Sequence, residues 1–378
     1  MSEALNKSGT TLSAVLVAFT LLCVANANAN ANANAQEFIR ADIDTIKNRN
    51  STNVRDLPAL VNRNQLYVQF TGAGGVYMAT QRVALMADPF FSNPGLRDLV
   101  LLNDLTPDNA AIDQWLPPTE NVAGVIVGHG HYDHLMDVPA ILPLLPADAK
   151  VFASETANHM VAASIPAARR VDLNRSMASA TQRGEWVQLN SNMRILAIES
   201  EHSPHVAGIV FVNDVLTEDS ASLPADALEW QSGTTLSYVI DFLESGDVES
   251  TNTENADIEN DDVRVQYRVF FQSSTSGYPL GAPPKWLNDD GVPVDLAVLC
   301  MANFDSVDNY PFGVLDQLKP KNILLTHWEA FWESYTPNEA SVLPGLDITK
   351  FIAQVKTAVP ASTTIYLPQL GGAITLKK

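Results

Sequence analysis

Three histidines and one aspartate lie within six residues, in the segment 128–134, which reads GHGHYDH. The whole chain of 378 residues holds only seven histidines, so composition does not account for this density. Neutral imidazole is the commonest metal ligand in proteins, and carboxylate oxygen binds the same borderline divalent ions. The segment therefore predicts a metal site rather than a solvated, histidine-rich loop.

The spacing within this motif divides its members into two groups. Residues two apart in an extended segment project to the same side, so we expect His129 and His131 to bind one ion. Asp133 and His134 follow where the chain begins to turn. We expect these two side chains to point at a second ion beside the first.

The elements around the motif explain how such a site can be held. Residues 122–127 are apolar and partly β-branched, as expected of a buried strand, and residues 135–145 favour the opening of a helix. His202 and His327 also follow directly on apolar strands. Because binding groups are commonly carried on loops at the end of a rigid sheet, the three strand ends are predicted to bring their imidazoles together.

Two histidines compete for one place in this predicted site. His202 is nearer the end of the preceding strand than His205, so His202 is the preferred ligand. His205 is then a contact to the substrate or a neighbour of the ligands, although the reverse assignment stays open. His159 falls in a predicted helix and is interpreted as structural.

Composition and charge restrict the class of protein. The chain is 46% hydrophobic and 17% charged, which is typical of a globular protein with a large core. It has 43 acidic and 23 basic residues, for a formal net charge of -20. Such a surface repels phosphate backbones and anionic membranes, so nucleic acid is not an expected partner, and the charge is interpreted as favouring solubility. The expected partner is a small-molecule substrate. The pattern gives no oligomeric state.

Residues 1–35 have the features of a secretory signal peptide. Lys7 lies in a short polar start, residues 12–25 form a continuous apolar region, and an Ala-Asn repeat offers several Ala-x-Ala cleavage registers. Cleavage after Ala35 is preferred. The apolar region is short for a membrane span, so no stable span is expected after cleavage.

Cysteine usage agrees with export. Removal of residues 1–35 takes away Cys23 and leaves Cys300, so no intramolecular disulfide can form. Cys300 ends an apolar run and is expected to be a buried structural thiol. We therefore expect a periplasmic or secreted bacterial protein.

After the leader, the chain is divided into a lead-in over 36–64 and one large domain over 65–378. Apolar runs predict strands at 66–70, 76–78, 83–87, 122–127, 151–153, 186–189, 193–198, 236–242, 265–271, 294–299, 322–326, 364–367 and 373–376. Helices fall between them, which favours a layered α/β (α+β) arrangement with sheets inside and helices outside.

Three loop insertions are predicted near 97–120, 206–233 and 244–262. The first is polar with a short helix, and the second is also expected to contain a helix. The third is acidic and poor in apolar residues, as expected of a mobile loop. These loops are the segments expected to determine the substrate.

The order of the motifs resembles that of the metallo-β-lactamase superfamily. The shared pattern is His-x-His-x-Asp-His after a strand, a later histidine after a strand, and a final strand followed by histidine. The segments FTGAGG at 70–75 and MADP at 86–89 are similar to that family's first strands. The resemblance covers about residues 65–376. It implies a four-layer αββα sandwich with one or two metal ions, usually zinc.

The resemblance also implies a ligand set and a branch of the family. The first ion is assigned to His129, His131 and His202, and the second to Asp133, His134 and His327. The segment HYDHL and the downstream His-Trp-Glu are more similar to the branch of phospholipase-D-type and lactonase enzymes than to antibiotic-degrading lactamases.

One position departs from the family pattern. An aspartate that bridges both metals usually follows the strand that corresponds here to residues 265–271. Ser273 stands at that position, within Gln-Ser-Ser. The missing carboxylate implies either that a second ion binds weakly or that a bridging hydroxide alone holds the pair.

The expected activity is hydrolysis of an ester, lactone or phosphodiester by a metal-bound hydroxide. Asp133 and His205 are the candidate catalytic groups. Trp328, Phe331 and Trp332 follow the last histidine motif, and they either line an apolar mouth or pack in the core. Two alternatives stay open: a non-catalytic metal-binding exported protein of the same fold, and a redox use of iron.

Overall fold

The computed structural model describes residues 61–62, 64–204, 212–244, 264–337 and 339–378. The predicted signal peptide and most of the lead-in lie outside these residues, as do parts of the second and third predicted insertions. Within the described part of the chain, none of the helices combines the length and the apolar character that crossing a bilayer requires.

The first sheet contains the first strands of the domain and the last one. Its described strands are β1 (Gln65–Gly72), β2 (Gly75–Ala79), β3 (Ala84–Ala87), β4 (Val122–Ile126), β5 (Lys150–Ala153), β6 (Arg170–Asp172) and β14 (Ala373–Lys377). Their spatial order is β14-β1-β2-β3-β4-β5-β6. Pairing is antiparallel from β14 to β3 and parallel from β3 to β6. The carboxyl ends of β3 and β4 therefore lie side by side.

The second sheet is built from the strands of the second half. They are β7 (Val187–Asn190), β8 (Met193–Ser200), β9 (Thr235–Leu243), β10 (Val265–Gln272), β11 (Leu296–Cys300), β12 (Asn322–Thr326) and β13 (Thr364–Tyr366). Their order is β13-β12-β11-β10-β9-β8-β7. Strands β10 to β13 pair in parallel, whereas β7 to β10 alternate in direction. Strands β8, β10 and β12 consequently end at the same end of this sheet.

Two buried clusters show that the sheets pack face to face. Leu66, Ile126, Ile240 and Val269 belong to one cluster that takes residues from both sheets and none from the helices. The alternate side chains of the same strands belong to a second cluster, which also contains helical residues such as Phe351. Since successive side chains of a strand point to opposite faces, the first cluster lies between the sheets and the second covers their outer faces.

The helices occupy the outer layers. They are α1 (Leu96–Leu101), α2 (Asn109–Trp115), α3 (Tyr132–Leu135), α4 (Val138–Ile141), α5 (Glu155–Met160), α6 (Phe312–Leu318) and α7 (Ile348–Ala358). In α7, buried residues recur with the helical period at Ile348, Phe351, Ile352 and Val355, which gives it one apolar face. The predicted four-layer αββα sandwich is confirmed.

Most predicted elements are observed, and one is not. Every predicted strand is present with its ends displaced by at most two residues. The prediction of a helix in the second insertion is wrong for residues 212–233, the described part of that insertion, because this part contains no helix. Side chains bond the backbone there instead: Leu228 N–H donates to Asp226, and the Gln231 amide donates to the Leu228 carbonyl. Such local bonds compete with a helical ladder.

Candidate metal centre

His129, His131 and His202 form the first group of converging side chains. The ring of His129 lies 4.7 Å from those of both His131 and His202, and the latter two are 4.6 Å apart. One ring nitrogen from each lies within 4.8 Å of the others. Three imidazoles in this arrangement are a ligand set that suits zinc.

Backbone carbonyls orient two of these rings. A carbonyl can only accept a hydrogen bond, so His131 Nε2 donates to the Val212 carbonyl at 3.2 Å, and His202 Nδ1 donates to the Ser203 carbonyl at 2.7 Å. The nitrogen across each ring is thereby left in its unprotonated form while the imidazole is neutral. This assigns Nδ1 of His131 and Nε2 of His202 as the candidate ligand atoms.

His129 provides the clearest sign that this group binds a cation. Its side chain is buried, and neither ring nitrogen has a hydrogen-bond partner among the described residues. Burial, reinforced by the neighbouring histidines, lowers its pKa well below the usual value, so the ring is a neutral electron-pair donor. Buried polar atoms are normally paired, and a bound metal ion would satisfy one of these two nitrogens.

Asp133, His134 and His327 form the second group. Asp133 Oδ2 lies 3.2 Å from His134 Nε2 and 3.4 Å from His327 Nε2, and all three side chains are buried. His327 adopts a left-handed backbone with φ of 57°, which is costly for a residue other than glycine and is typical of functional positions. Two imidazoles and one carboxylate are a second metal-ligand set.

Charge couples the members of the second group. Burial alone would raise the pKa of Asp133, but the charge of His134 and hydrogen bonds from His134 and His327 hold it well below its usual range. Burial opposes protonation of His134 too, yet Asp133 and Asp88 raise its pKa to about 10. For His327, burial outweighs Asp133 and lowers the pKa. A metal ion bound by His134 would therefore displace a proton from it.

Asp88 is a site residue that spacing alone did not identify. Its Oδ2 accepts a hydrogen bond from His134 Nδ1 at 2.8 Å, and its Oδ1 accepts one from Gly128 N–H at 2.6 Å. A carboxylate behind a ligating histidine fixes the ring and assigns Nε2 to the metal. The sequence did carry a signal for Asp88, because it follows directly on the buried strand β3. The other site residues likewise follow the ends of strands.

The two groups form one centre. The rings of His129 and His134, one from each group, are only 4.0 Å apart between centroids. Their ligand atoms are the imidazole nitrogens and the carboxylate oxygen that borderline divalent ions accept. The residues therefore fit one or two metal ions, with His129 and His134 at the junction.

Ser273 lies at this junction, at the carboxyl end of β10. It is buried, and its Oγ has no partner among the described residues. A Cβ built on Gly128 would lie 2.1 Å from that Oγ and 3.0 Å from Asp88 Oδ2. A Cβ on Gly74 would lie 2.8 Å from Ser273 Cβ and 2.9 Å from His134 Cε1. The two glycines make room for the serine beside His134.

Glu329 is a second residue that sequence reasoning missed. It is completely buried two residues after His327, its Oε1 accepts a hydrogen bond from Ala73 N–H, and its Oε2 has no partner among the described residues. Burial raises its pKa to about 8. Glu329 thus ties the turn between β1 and β2 to the end of β12. Nothing in the sequence pattern links these distant segments.

The aromatic residues after His327 divide into two roles. Trp328 is buried and donates its indole N–H to the Pro368 carbonyl, so it belongs to the core. Phe331 is half-buried, with its ring edge-on to His327 at 5.0 Å, and it adjoins Trp332 at 5.1 Å and Tyr132 at 6.3 Å. Phe331 and its neighbours therefore form an apolar wall beside the second group.

The sequence also assigned roles to His205, His159 and Cys300. His205, the proposed catalytic partner of Asp133, is outside the described residues. His159 lies in α5, where it pairs with Asp219 at 2.8 Å and anchors the second insertion. Cys300 is buried, as predicted, at the end of β11.

No protein-family model matches the chain, and no curated protein matches it. Solved structures do match. Igni18, a metallo hydrolase from Ignicoccus hospitalis, is 13% identical with a TM-score of 0.47, covering 83% of this chain and 99% of that one. YhfI, a metallo-β-lactamase fold protein from Bacillus subtilis, is 12% identical with a TM-score of 0.43, covering 83% and 100%. CmlA, a diiron β-hydroxylase from Streptomyces venezuelae, is 11% identical with a TM-score of 0.43, covering 84% and 55%.

Proposed function

We propose that this chain is a metal-dependent hydrolase that cleaves an ester, lactone or phosphodiester bond in a small molecule. The observation that supports this most strongly is the convergence of five imidazoles and one carboxylate in two adjoining groups at the ends of β4, β8 and β12. When bound, zinc supplies Lewis acidity and an activated water at neutral pH.

In this proposal the ligand side chains hold the centre and Asp133 also orients the attacking water. Asp133 Oδ2 lies within 3.4 Å of a ring nitrogen of His134 and of His327. The other carboxylate oxygen, Oδ1, is then the atom that would orient the water. Asp88 keeps His134 in the ligating orientation.

His205 stays in the proposal as a contact to the substrate or a proton donor. Ser203 and Val212, on the two sides of the segment that contains it, both bond to ligand histidines. The apolar wall of Phe331, Trp332 and Tyr132 is proposed to receive an apolar part of the substrate. We further propose that the protein is exported, as the leader predicts.

One observation favours a second candidate function. Asp133, His134 and His327 are two histidines and one carboxylate, the ligand set of many non-haem iron enzymes. Redox chemistry at an iron-loaded centre is therefore the alternative to hydrolysis.

Metal-dependent turnover tests the proposal. The mature chain would be loaded separately with zinc and with Fe(II), then assayed on nitrophenyl esters, a lactone and bis(nitrophenyl) phosphate, with oxygen consumption followed in parallel. We expect hydrolysis that chelation abolishes, that His327→Ala lowers about 100-fold or more, and that His159→Ala leaves unchanged. Bound metal without turnover would favour a non-catalytic binder, and oxygen uptake with iron would favour the redox alternative.

A further inference from the structure

The charge of the candidate centre is incomplete for two ions. Among the described residues that converge there, Asp133 supplies the only ligating carboxylate, and the other five ligands are imidazoles. Asp88 is adjacent, but its two oxygens are engaged by His134 and Gly128. Two dications close together repel each other strongly in a buried site, so a pair held by one carboxylate lacks negative charge.

The hydroxyl of Ser273 is buried beside the two ligand groups. It is 1% exposed and its Oγ has no partner among the described residues, although an unpaired buried hydroxyl is unfavourable. It contacts Gly128, which precedes His129 of the first group, and Gly74, which adjoins His134 of the second. Ser273 therefore borders both groups at their junction.

A serine hydroxyl is shorter than an aspartate side chain and carries no charge. It can, however, donate a hydrogen bond to an oxygen beyond it. An oxyanion at that point would satisfy the hydroxyl and supply the negative charge that the ligand set lacks.

We infer that the centre binds one divalent ion by itself and binds the second together with a phosphate or carboxylate oxyanion, which bridges the two ions and accepts a hydrogen bond from Ser273. This inference rests on the proposed metal centre and deepens the proposed function, because phosphate or carboxylate groups are carried by the products of phosphodiester, ester and lactone hydrolysis. The substrate or product would then complete the site that acts on it.

Metal stoichiometry tests this inference without an activity assay. The metal-depleted protein would be dialysed against limiting Zn²⁺ with no added anion, with inorganic phosphate and with acetate, and bound zinc and phosphate would be counted per chain. We expect about one zinc without an anion and about two with one bridging anion, which follows from the charge argument. The more effective anion identifies the group that the site prefers.

Variants separate hydrogen bonding by the Ser273 hydroxyl from packing of the Ser273 side chain. Ser273→Ala should weaken phosphate binding about tenfold, the scale of one hydrogen bond to a charged group, while the first zinc is unchanged. Ser273→Asp should bind two zinc ions without any anion. Ser237→Ala is the matched control, since Ser237 is equally buried but its hydroxyl is already paired and donates to the Gly281 carbonyl.

Two equally tight zinc ions without an anion would overturn the inference, as would a second zinc whose binding ignores phosphate and acetate. Phosphate binding that is unchanged in Ser273→Ala would contradict the part assigned to the hydroxyl. If zinc and phosphate bind as expected but no substrate is turned over, the proposed hydrolysis fails while this inference stands. If turnover occurs with one zinc and does not depend on an anion, the proposed hydrolysis stands while this inference fails.

Discussion

His129 distinguishes this centre from a cluster of surface histidines, because it is buried and neither of its ring nitrogens has a partner among the described residues. Desolvation keeps its imidazole neutral, and the neighbouring His134, His202 and His131 reinforce that effect because like charges would repel. A neutral ring without a partner among the described residues suits a metal ion without first losing a proton.

The first prediction concerns these ligands. His129→Ala should remove at least one equivalent of bound zinc, because the ring belongs to the first group and touches the second. His159→Ala, which alters a histidine in α5 paired with Asp219, is the control and should keep full zinc content. Metal analysis by mass spectrometry checks both, and equal metal content in the two variants would contradict the ligand assignment.

The second prediction concerns Asp88. Asp88→Asn replaces one of two acceptor oxygens by a donor, so either His134 or Gly128 loses its partner. Zinc affinity should fall about 10–100-fold, as is usual when the carboxylate behind a ligating histidine is removed. Competition with a chelator measures the affinity. Asp98→Asn, in helix α1, where Asp98 accepts a hydrogen bond from Asn103, should not change the affinity. An unaltered affinity in Asp88→Asn would show that Asp88 does not support the ligand.

At the scale of elements, the direction of the strands explains why distant residues meet. Strands β3 and β4 are parallel neighbours, so Asp88 and the histidine motif follow adjacent strand ends. Strands β8, β10 and β12 end together in the other sheet, which places His202, Ser273 and His327 at the same end of the sandwich.

The third prediction uses the close packing of the strand ends. Gly128→Ala places a Cβ 2.1 Å from Ser273 Oγ, so one side chain must move. Overpacking of this kind costs about 1–3 kcal/mol in the free energy of unfolding. The double variant Gly128→Ala with Ser273→Gly removes the shortest contact and should recover part of the loss, because Asp88 Oδ2 stays 3.0 Å from the new Cβ. Urea unfolding measures both, and an absence of recovery would mean that Ser273 is not the side chain displaced.

The fourth prediction concerns the link between Glu329 and the turn after β1. Folded Glu329 keeps its proton up to pH of about 8, whereas the unfolded residue loses it near its ordinary pKa of 4.5. The folded state then binds more protons, so this residue makes the free energy of unfolding decrease as pH rises between those values. In metal-depleted protein, Glu329→Gln should flatten that decrease. Identical pH slopes in urea unfolding would contradict the assignment.

At the scale of the whole molecule, the second sheet has a charged network on its outer face. Asp241 is fully buried and accepts hydrogen bonds from both Arg194 and Arg268, and Arg268 also pairs with Asp290. Trp186 covers the Arg194 guanidinium at 4.1 Å. The network compensates charges that would otherwise be buried alone.

The fifth prediction tests that network as a stabilising element. Asp241→Asn leaves buried positive charge uncompensated and should lower the free energy of unfolding by about 3–5 kcal/mol. Asp305→Asn is the control, because its pair with Lys350 is half-exposed and should contribute little. Zinc content under native conditions should be unchanged in both variants. A stability loss as small as that of the control would show that the network is dispensable.

The sequence predicts the parts of this molecule that depend on local pattern. Strands such as β12 are apolar runs with clear ends, and the His129–His134 motif is contiguous, so both were predictable. The contacts of Asp88 and Glu329 depend on tertiary pairing between strands far apart in sequence, which spacing does not reveal. Helix α7 was not predicted, although its apolar residues follow the helical period. The prediction of a helix near 206–233 was wrong for the described part because it did not account for the side-chain bonds of Asp226 and Gln231.

The most direct test of the central claim is anomalous diffraction from crystals of the zinc-loaded protein, with data collected above and below the zinc edge. We predict an anomalous peak surrounded by nitrogen atoms of His129, His131 and His202, or by Asp133, His134 and His327, with both peaks present when phosphate is added. Stoichiometric zinc found elsewhere on the molecule, with no peak among these six side chains, would contradict the account.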